Sequence, residues 1–573
     1  MDVAPTSTEL VKLYECGEFA SQMAHRFGLG RSAETHLVEE LCITLHNSGA
    51  IDLLALVEDR TLQELPGTEF FMASYFFCRL LPELDATPER MMRCVDGLVT
   101  RGGNDGAANE PNAAFRKWCA SVPLRALEVI AAAHEGNELA IQHLAFALEA
   151  ISNLSEARRM AIEYEDIRRQ AAISALGRID HKGSEECGET FAVFHSLLDG
   201  SIGDATRASV LHASMEILNR GQDVSSADAN SLISRIVSEP GQFTIHQCAR
   251  ALWSCRQALT QDIVSFLLGA LEHLDSANKG TIEEVDLGLH VLLELGFDES
   301  AVSFVTMLLS RPDNELELEA FDSFTHNLLS GSPGLISRVV VKWLQLGSPQ
   351  LCNGLAKAIK GPGLDGVPLS LQADDLALPP STQLFICRKA LGWFFFKPTT
   401  GASVLVSVLR ICDSDTAQEV QNLLVNPLLQ NYGGVREYLE NLATEDAATK
   451  AVSGALAQNL AYLDAKRSVP LLVELQPTEH HRRIERLRIS DQMREAYKGA
   501  ESDSVFLGLV SRSVLLYGNR SLSFIDDGQD GLRHVEVDLQ SHGISYEMPR
   551  MEVVDPIGLD YILRVFRNER MEK

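Results

Sequence analysis

From about residue 7 to about 470, apolar residues recur at three- and four-residue spacing, and period-two alternation is nearly absent. Such a chain folds as helix after helix. Leu124, Leu127 and Ile130 fall on one helical face behind Pro123. Ile141, Leu144, Leu148 and Ile151 follow the break at Gly136-Asn137, and Ile263, Leu267, Leu271 and Leu274 repeat the pattern. Leu335, Val339, Trp343 and Leu346 begin behind Ser332-Pro333, a cap followed by a favoured first-turn proline. The breaks are short and carry Gly, Asp, Asn or Pro, so consecutive helices run antiparallel.

The helices also repeat. Segments centred in Ile167 to Ile179, Arg207 to Leu218, His246 to Leu252, Leu287 to Leu295 and Phe321 to Leu329 lie about 38 to 40 residues apart. The segment Arg168-Arg169-Gln170-Ala171-Ala172-Ile173-Ser174-Ala175-Leu176-Gly177 has small residues for close packing and a Leu-Gly step that marks a tight end or a close approach. With its basic start and Ala-Leu-Gly finish it resembles the second helix of a HEAT repeat. The resemblance to HEAT or armadillo repeats covers roughly residues 120–360 and implies an α-solenoid of stacked antiparallel helix pairs. Solenoids bind partners along extended inner surfaces.

The organisation expected is an N-terminal helical region over 1–112, HEAT-like repeats over 113–360, a loop insertion over 361–381, further helical repeats over 382–478, and a small α+β domain over 479–573. Gly and Asn mark Thr100 to Asn112 as a second long break. In the last region period two emerges. Val505 to Val514, Ser521 to Ile525, Val535 to Leu539 and Ile544 to Met548 read as strands of a three- to five-stranded antiparallel sheet, with Gly518-Asn519 as a hairpin turn. Asp555 caps a closing helix with Pro556 in its first turn and Leu559, Ile562, Leu563 and Phe566 as its apolar face. The fold class is therefore mainly α, a HEAT-like solenoid with a C-terminal α+β domain containing an antiparallel sheet.

Charge bounds the partners. Residues 1–470 carry −25 and the remainder −4, giving the −29 of the whole chain. A chain this acidic repels phosphate backbones unless it holds a local basic stripe, and its inner surface suits a basic protein. The exception lies in a charged helix read over Glu479 to Tyr497: Arg482, Arg483, Arg486, Arg488, Arg494 and Lys498 stand within 17 positions, with Glu485, Asp491 and Glu495 interleaved. Such a face pairs with the acidic side of its own stack, meets an acidic protein surface, or holds phosphate through bidentate guanidinium contacts. These six residues are the candidate binding site.

Chemistry is not written locally. There is no Cys-x-x-Cys, His-Glu-x-x-His, phosphate-binding Gly-x-x-x-x-Gly-Lys-Ser/Thr or Gly-x-Ser-x-Gly motif. Gly361-Pro362-Gly363-Leu364-Asp365-Gly366 matches Gly-x-Gly-x-x-Gly, but an apparent helix precedes it where a dinucleotide loop needs a strand. Glu315, Glu317 and Glu319 read as a solvated helix start, and His480-His481 point too far apart on a helix to share a metal. Glu536 and Asp538 share a strand face, with no lysine between 499 and 572 to complete a nuclease centre. No catalytic residue, metal or cofactor is assigned. The eleven scattered cysteines read as reduced cytosolic thiols. The most apolar stretch, Phe70 to Leu81, is too short to span a bilayer and contains Arg79. These features favour a non-catalytic scaffold or adaptor in a cytoplasmic complex, with homo-oligomerisation open. The alternatives are a nucleic-acid-associated accessory subunit using the 482–498 helix, with a bacterial anti-phage system as analogy, and an enzyme with a non-local site in the C-terminal unit. Arg outnumbers Lys 37 to 13, as in a GC-rich bacterial coding background.

Overall fold

The computed structural model describes residues 5–28, 32–103, 109–311, 316–359, 366–442, 448–470, 476–502, 510–516, 520–526, 532–538 and 547–571. They form two compact units, Met1–Gly331 and Ser332–Lys573.

In the first unit two parallel rows of helices stack. One row is Glu138–Ala150, Ile167–Arg178, Asp204–Asn219, Gln242–Ser254, Lys279–Glu294 and Asp322–Ser330, each packed on the next. The other is Leu154–Glu163, Ser184–Asp199, Ser226–Ile236, Gln261–Leu271 and Asp298–Leu309, again neighbour on neighbour. This is the solenoid-like arrangement that the repeat spacing implies, and every second-helix segment read from the sequence falls in the first row. Gly177 is the close approach its Leu-Gly step suggests: a Cβ there would lie 2.7 Å from Ala213 Cα. Gly288 sits the same way over Leu252, whose Cβ would be 2.7 Å away.

Polar bonds tie each repeat to the next. The Asp204 carboxylate accepts from the Gly241, Phe243 and Thr244 amides and from the Thr244 hydroxyl, satisfying the orphan donors that open the following helix. Asp286 does the same for the Ser323 and Phe324 amides, both at 2.9 Å. At the opposite helix end, the Arg220 guanidinium donates to the carbonyls of Gly177, Arg178 and Ile179.

One face differs from the sequence reading. In the Pro123–His134 helix the buried side is Ala126, Val129, Ile130 and Ala133, while Leu124 is 61% exposed and Leu127 50%. The small side chains let this helix lie close on Glu138–Ala150, and the larger leucines are left outside.

In the second unit, Pro380–Phe394 packs on Pro333–Leu346, Pro349–Ala358, Pro398–Leu409 and Ser414–Leu423, and Thr449–Ser468 packs on Ser414–Leu423. The segment before Pro380 is clipped in place. The Val367, Leu369 and Leu371 amides donate to the hydroxyls of Thr400, Ser403 and Ser407 at 3.0, 2.8 and 3.4 Å. Alternate amides of an extended chain point one way, and helix positions i, i+3 and i+7 share a face, so the two spacings mate. Of the Gly-x-Gly-x-x-Gly run, residues 361–365 lie outside the described residues.

The expected α+β domain over 479–573 is corrected. Three strands, β1 (Val510–Leu516), β2 (Arg520–Asp526) and β3 (Leu532–Asp538), pair antiparallel in the order β1-β2-β3. Among the described residues no helix forms a second layer on them. The closing helix, Pro556–Asn568, packs instead on Pro380–Phe394, some 175 residues earlier in the chain. A sheet with no helical cover is not the two-layer unit that the alternation suggested. The Gly518-Asn519 turn and most of Ile544 to Met548 lie outside the described residues, as do the side chains of Glu536 and Asp538.

Candidate interaction surfaces

The helix carrying the predicted basic residues spans Glu479–Ser502. Thr478 starts it, its hydroxyl accepting from the His481 amide at 3.3 Å. Arg482, Arg483, Arg486, Arg488, Arg494 and Lys498 are all exposed, and no described side chain of this helix is buried. The basic character is weaker than the spacing suggests. Over the whole helix Glu479 and Glu501 join Glu485, Asp491 and Glu495, so six cations stand with five acids and the net charge is +1. Arg486 pairs with Glu479 at 3.4 Å, Arg488 with Glu485 at 2.7 Å, and Arg494 with Asp491. Arg482 donates to the Gln476 amide oxygen at 3.3 Å. Three of the six cations, Arg486, Arg488 and Arg494, therefore meet carboxylates of their own helix, one or two turns away.

What the spacing of charges concealed is apolar surface. Ile484, Leu487, Met493 and Tyr497 are between 47% and 71% exposed. Ile489, Met493 and Tyr497 stand four residues apart and line one side of the helix.

The closing helix is held by interlocking polar groups. Lys389, wholly buried, donates from Nζ to the Arg567 carbonyl at 2.6 Å. Arg567 Nε returns a bond to the Gly392 carbonyl at 2.6 Å, and its guanidinium lies 5.1 Å from the Trp393 ring. Arg388 grips Glu569 through two nitrogens at 2.6–3.0 Å. Leu559 and Leu563 fill the space beneath. Burial pushes the Lys389 ammonium below the usual lysine range, since the charge has left water. The helix's own apolar face was legible; its partner was not.

Among the described residues no group of His, Cys, Asp and Glu is arranged to hold a metal ion, and no helix is long and apolar enough to cross a membrane. All eleven cysteines are unpaired. Burial pushes the thiols of Cys42, Cys78, Cys119 and Cys352 up to about 12, far from a reactive thiolate. His143, buried against the Phe115 ring at 4.8 Å, is held neutral by desolvation, its value lowered to about 4. Trp118 and Trp343 are fully buried packing residues.

No family model matches the chain. No curated protein matches it either. Among solved structures, the chain is similar to the crystal structure of an engineered protein, a structural-genomics target, at 16% identity over 80% of this chain and 99% of that one. The TM-score is 0.21, too low to carry an argument.

Proposed function

We propose that this chain is a non-catalytic scaffold or adaptor that binds other proteins in a cytosolic complex, through its stacked helices and through the Glu479–Ser502 helix. One observation carries the reading. Among its described residues, the 24-residue helix has no buried side chain, and it exposes Ile484, Leu487, Met493 and Tyr497. Most helical stability in proteins comes from packing an apolar face, and exposed apolar surface of this kind marks an interface. Eleven unpaired cysteines support a reducing compartment. The net charge of +1 on the helix works against a nucleic-acid role, since phosphate binding scales with the number of uncompensated cations.

The test is capture with the full chain against a variant carrying Ile484→Gln, Leu487→Gln, Met493→Gln and Tyr497→Gln. Captured proteins are identified and rebound as purified components. Point substitutions are preferable to truncation near residue 470, because truncation removes the closing helix from Pro380–Phe394. Loss of a purified partner in the variant supports the reading. Equal binding by both forms removes the helix from it, and no partner for either form removes the adaptor role.

A further inference from the structure

One side of the first helical row holds a cationic cluster that no local motif announces, with Arg178 and His212 half-buried and Arg250 exposed. Arg178 ends the Ile167–Arg178 helix, His212 lies mid-way along Asp204–Asn219, and Gln247 and Arg250 lie on Gln242–Ser254. These three helices are consecutive in the row, so residues distant in sequence meet on one side of it. The Gln247 amide donates to His212 Nδ1 at 3.1 Å. An amide nitrogen can only donate, so Nδ1 accepts and the ring proton sits on Nε2. The Arg178 guanidinium lies over the Phe146 ring, 4.6 Å from its centre.

Arginines in this stack are normally engaged. Arg116 bonds Glu149 at 2.7 Å, Arg235 bonds Asp199 at 2.7 Å, Arg256 bonds Glu294 at 2.6 Å, and Arg220 and Arg158 each reach backbone carbonyls. Arg178 and Arg250 are exceptions: among the described residues neither guanidinium donates a hydrogen bond. Both act electrostatically on His212, lowering its affinity for a proton beyond the larger effect of burial. Glu149 and Glu216 also face Arg178, and Arg116 adds a third cation. Glu149 is already bonded to Arg116 and Glu216 approaches the Cys255 thiol. The cluster thus presents two forked donors and an imidazole N–H with no acceptor of their own. Leu287, 45% exposed, and half-buried Trp253 continue the same row side with apolar surface.

We propose that this face, centred on Arg178, His212 and Arg250, binds a carboxylate-bearing peptide segment of a partner protein. Two guanidinium forks match carboxylates bidentately, and the next repeat supplies apolar contact for a neighbouring side chain. The global charge of −29 is not an obstacle at contact, since salt screens the rest of the molecule beyond about 8 Å. The site belongs to the first unit, so it stands or falls separately from the Glu479–Ser502 helix.

The experiment uses the full chain and a fluorescein-labelled hexaglutamate peptide in an anisotropy titration, with hexalysine and inorganic phosphate as the other probes. Hexaglutamate should bind, weaken as salt rises to about 0.3 M, and lose roughly tenfold to hundredfold in affinity in Arg178→Gln/Arg250→Gln. Arg178→Lys should retain part of the affinity, and Arg93→Gln, in an exposed pair with Glu89 on another helix, should change nothing. A bound carboxylate should also raise the titration midpoint of His212 followed by NMR, a readout that needs no substitution. Binding within twofold of the parent in the double variant, no binding of hexaglutamate, an unmoved His212, or displacement by phosphate at equal charge concentration would each overturn the proposal.

Discussion

Replacing Gly177 by alanine sets two effects of opposite sign against each other. Removing the glycine from the last turn of Ile167–Arg178 gains at most about 1 kcal/mol of helix propensity. Against this, the new Cβ would stand 2.7 Å from Ala213 Cα and 3.0 Å from Ala213 Cβ. The first of these is backbone and cannot rotate away, so the two helices must separate. Overpacking of this kind costs about 1–3 kcal/mol, and a backbone contact belongs at the upper end. The net expectation is a loss of about 1–2 kcal/mol. Gly269 is the internal control: it lies in the Gln261–Leu271 helix with nothing within 4 Å of its would-be Cβ, so Gly269→Ala should gain about 0.5–1 kcal/mol. Thermal melts of both variants give the sign, and hydrogen exchange of peptides covering 167–178 and 204–219 locates it. If Gly177→Ala stabilises as much as Gly269→Ala does, the close stacking of these repeats is refuted.

Asp204→Ala leaves three amides and a hydroxyl without their acceptor; the expected cost is about 2–3 kcal/mol, with faster exchange confined to the start of the Gln242–Ser254 helix. Leu559→Ala/Leu563→Ala empties the contact under the closing helix and should expose both 556–568 and 380–394 to exchange together, whereas exchange in 556–568 alone would contradict their docking. His143 titrates near 4 folded and near 6.5 unfolded, so its contribution is complete above pH 6.5 and lost as pH falls towards 4. That loss amounts to about 3 kcal/mol, and a His143→Leu chain should show a flatter fall in melting temperature over this window.

Backbone hydrogen bonding and side-chain sterics act locally, and for that reason much of the secondary structure was legible. The caps at Ser332 and Asp555, the first-turn prolines 123, 333 and 556, and the spacing of the repeat helices are all decided within a few residues. The same local reasoning counted six cations in the 482–498 stretch. The helix read over Glu479 to Tyr497 runs on to Ser502, and Arg486, Arg488 and Arg494 meet carboxylates of their own helix one or two turns away. Those pairs could have been found from the i, i+3 spacing of Glu485 with Arg488 and of Asp491 with Arg494.

By itself the sequence determined where helices begin, that they recur at a fixed interval, and that the chain is acidic. Only the tertiary structure decided which faces meet. It turned Leu124 and Leu127 outward because smaller neighbours pack closer, and it drew the closing helix away from the strands to cover Lys389. It also set Arg178 and Arg250, 72 positions apart, on either side of one histidine. Periodicity fixes a helix's apolar side, but the choice of partner depends on shape and charge summed over residues that only the folded chain brings together.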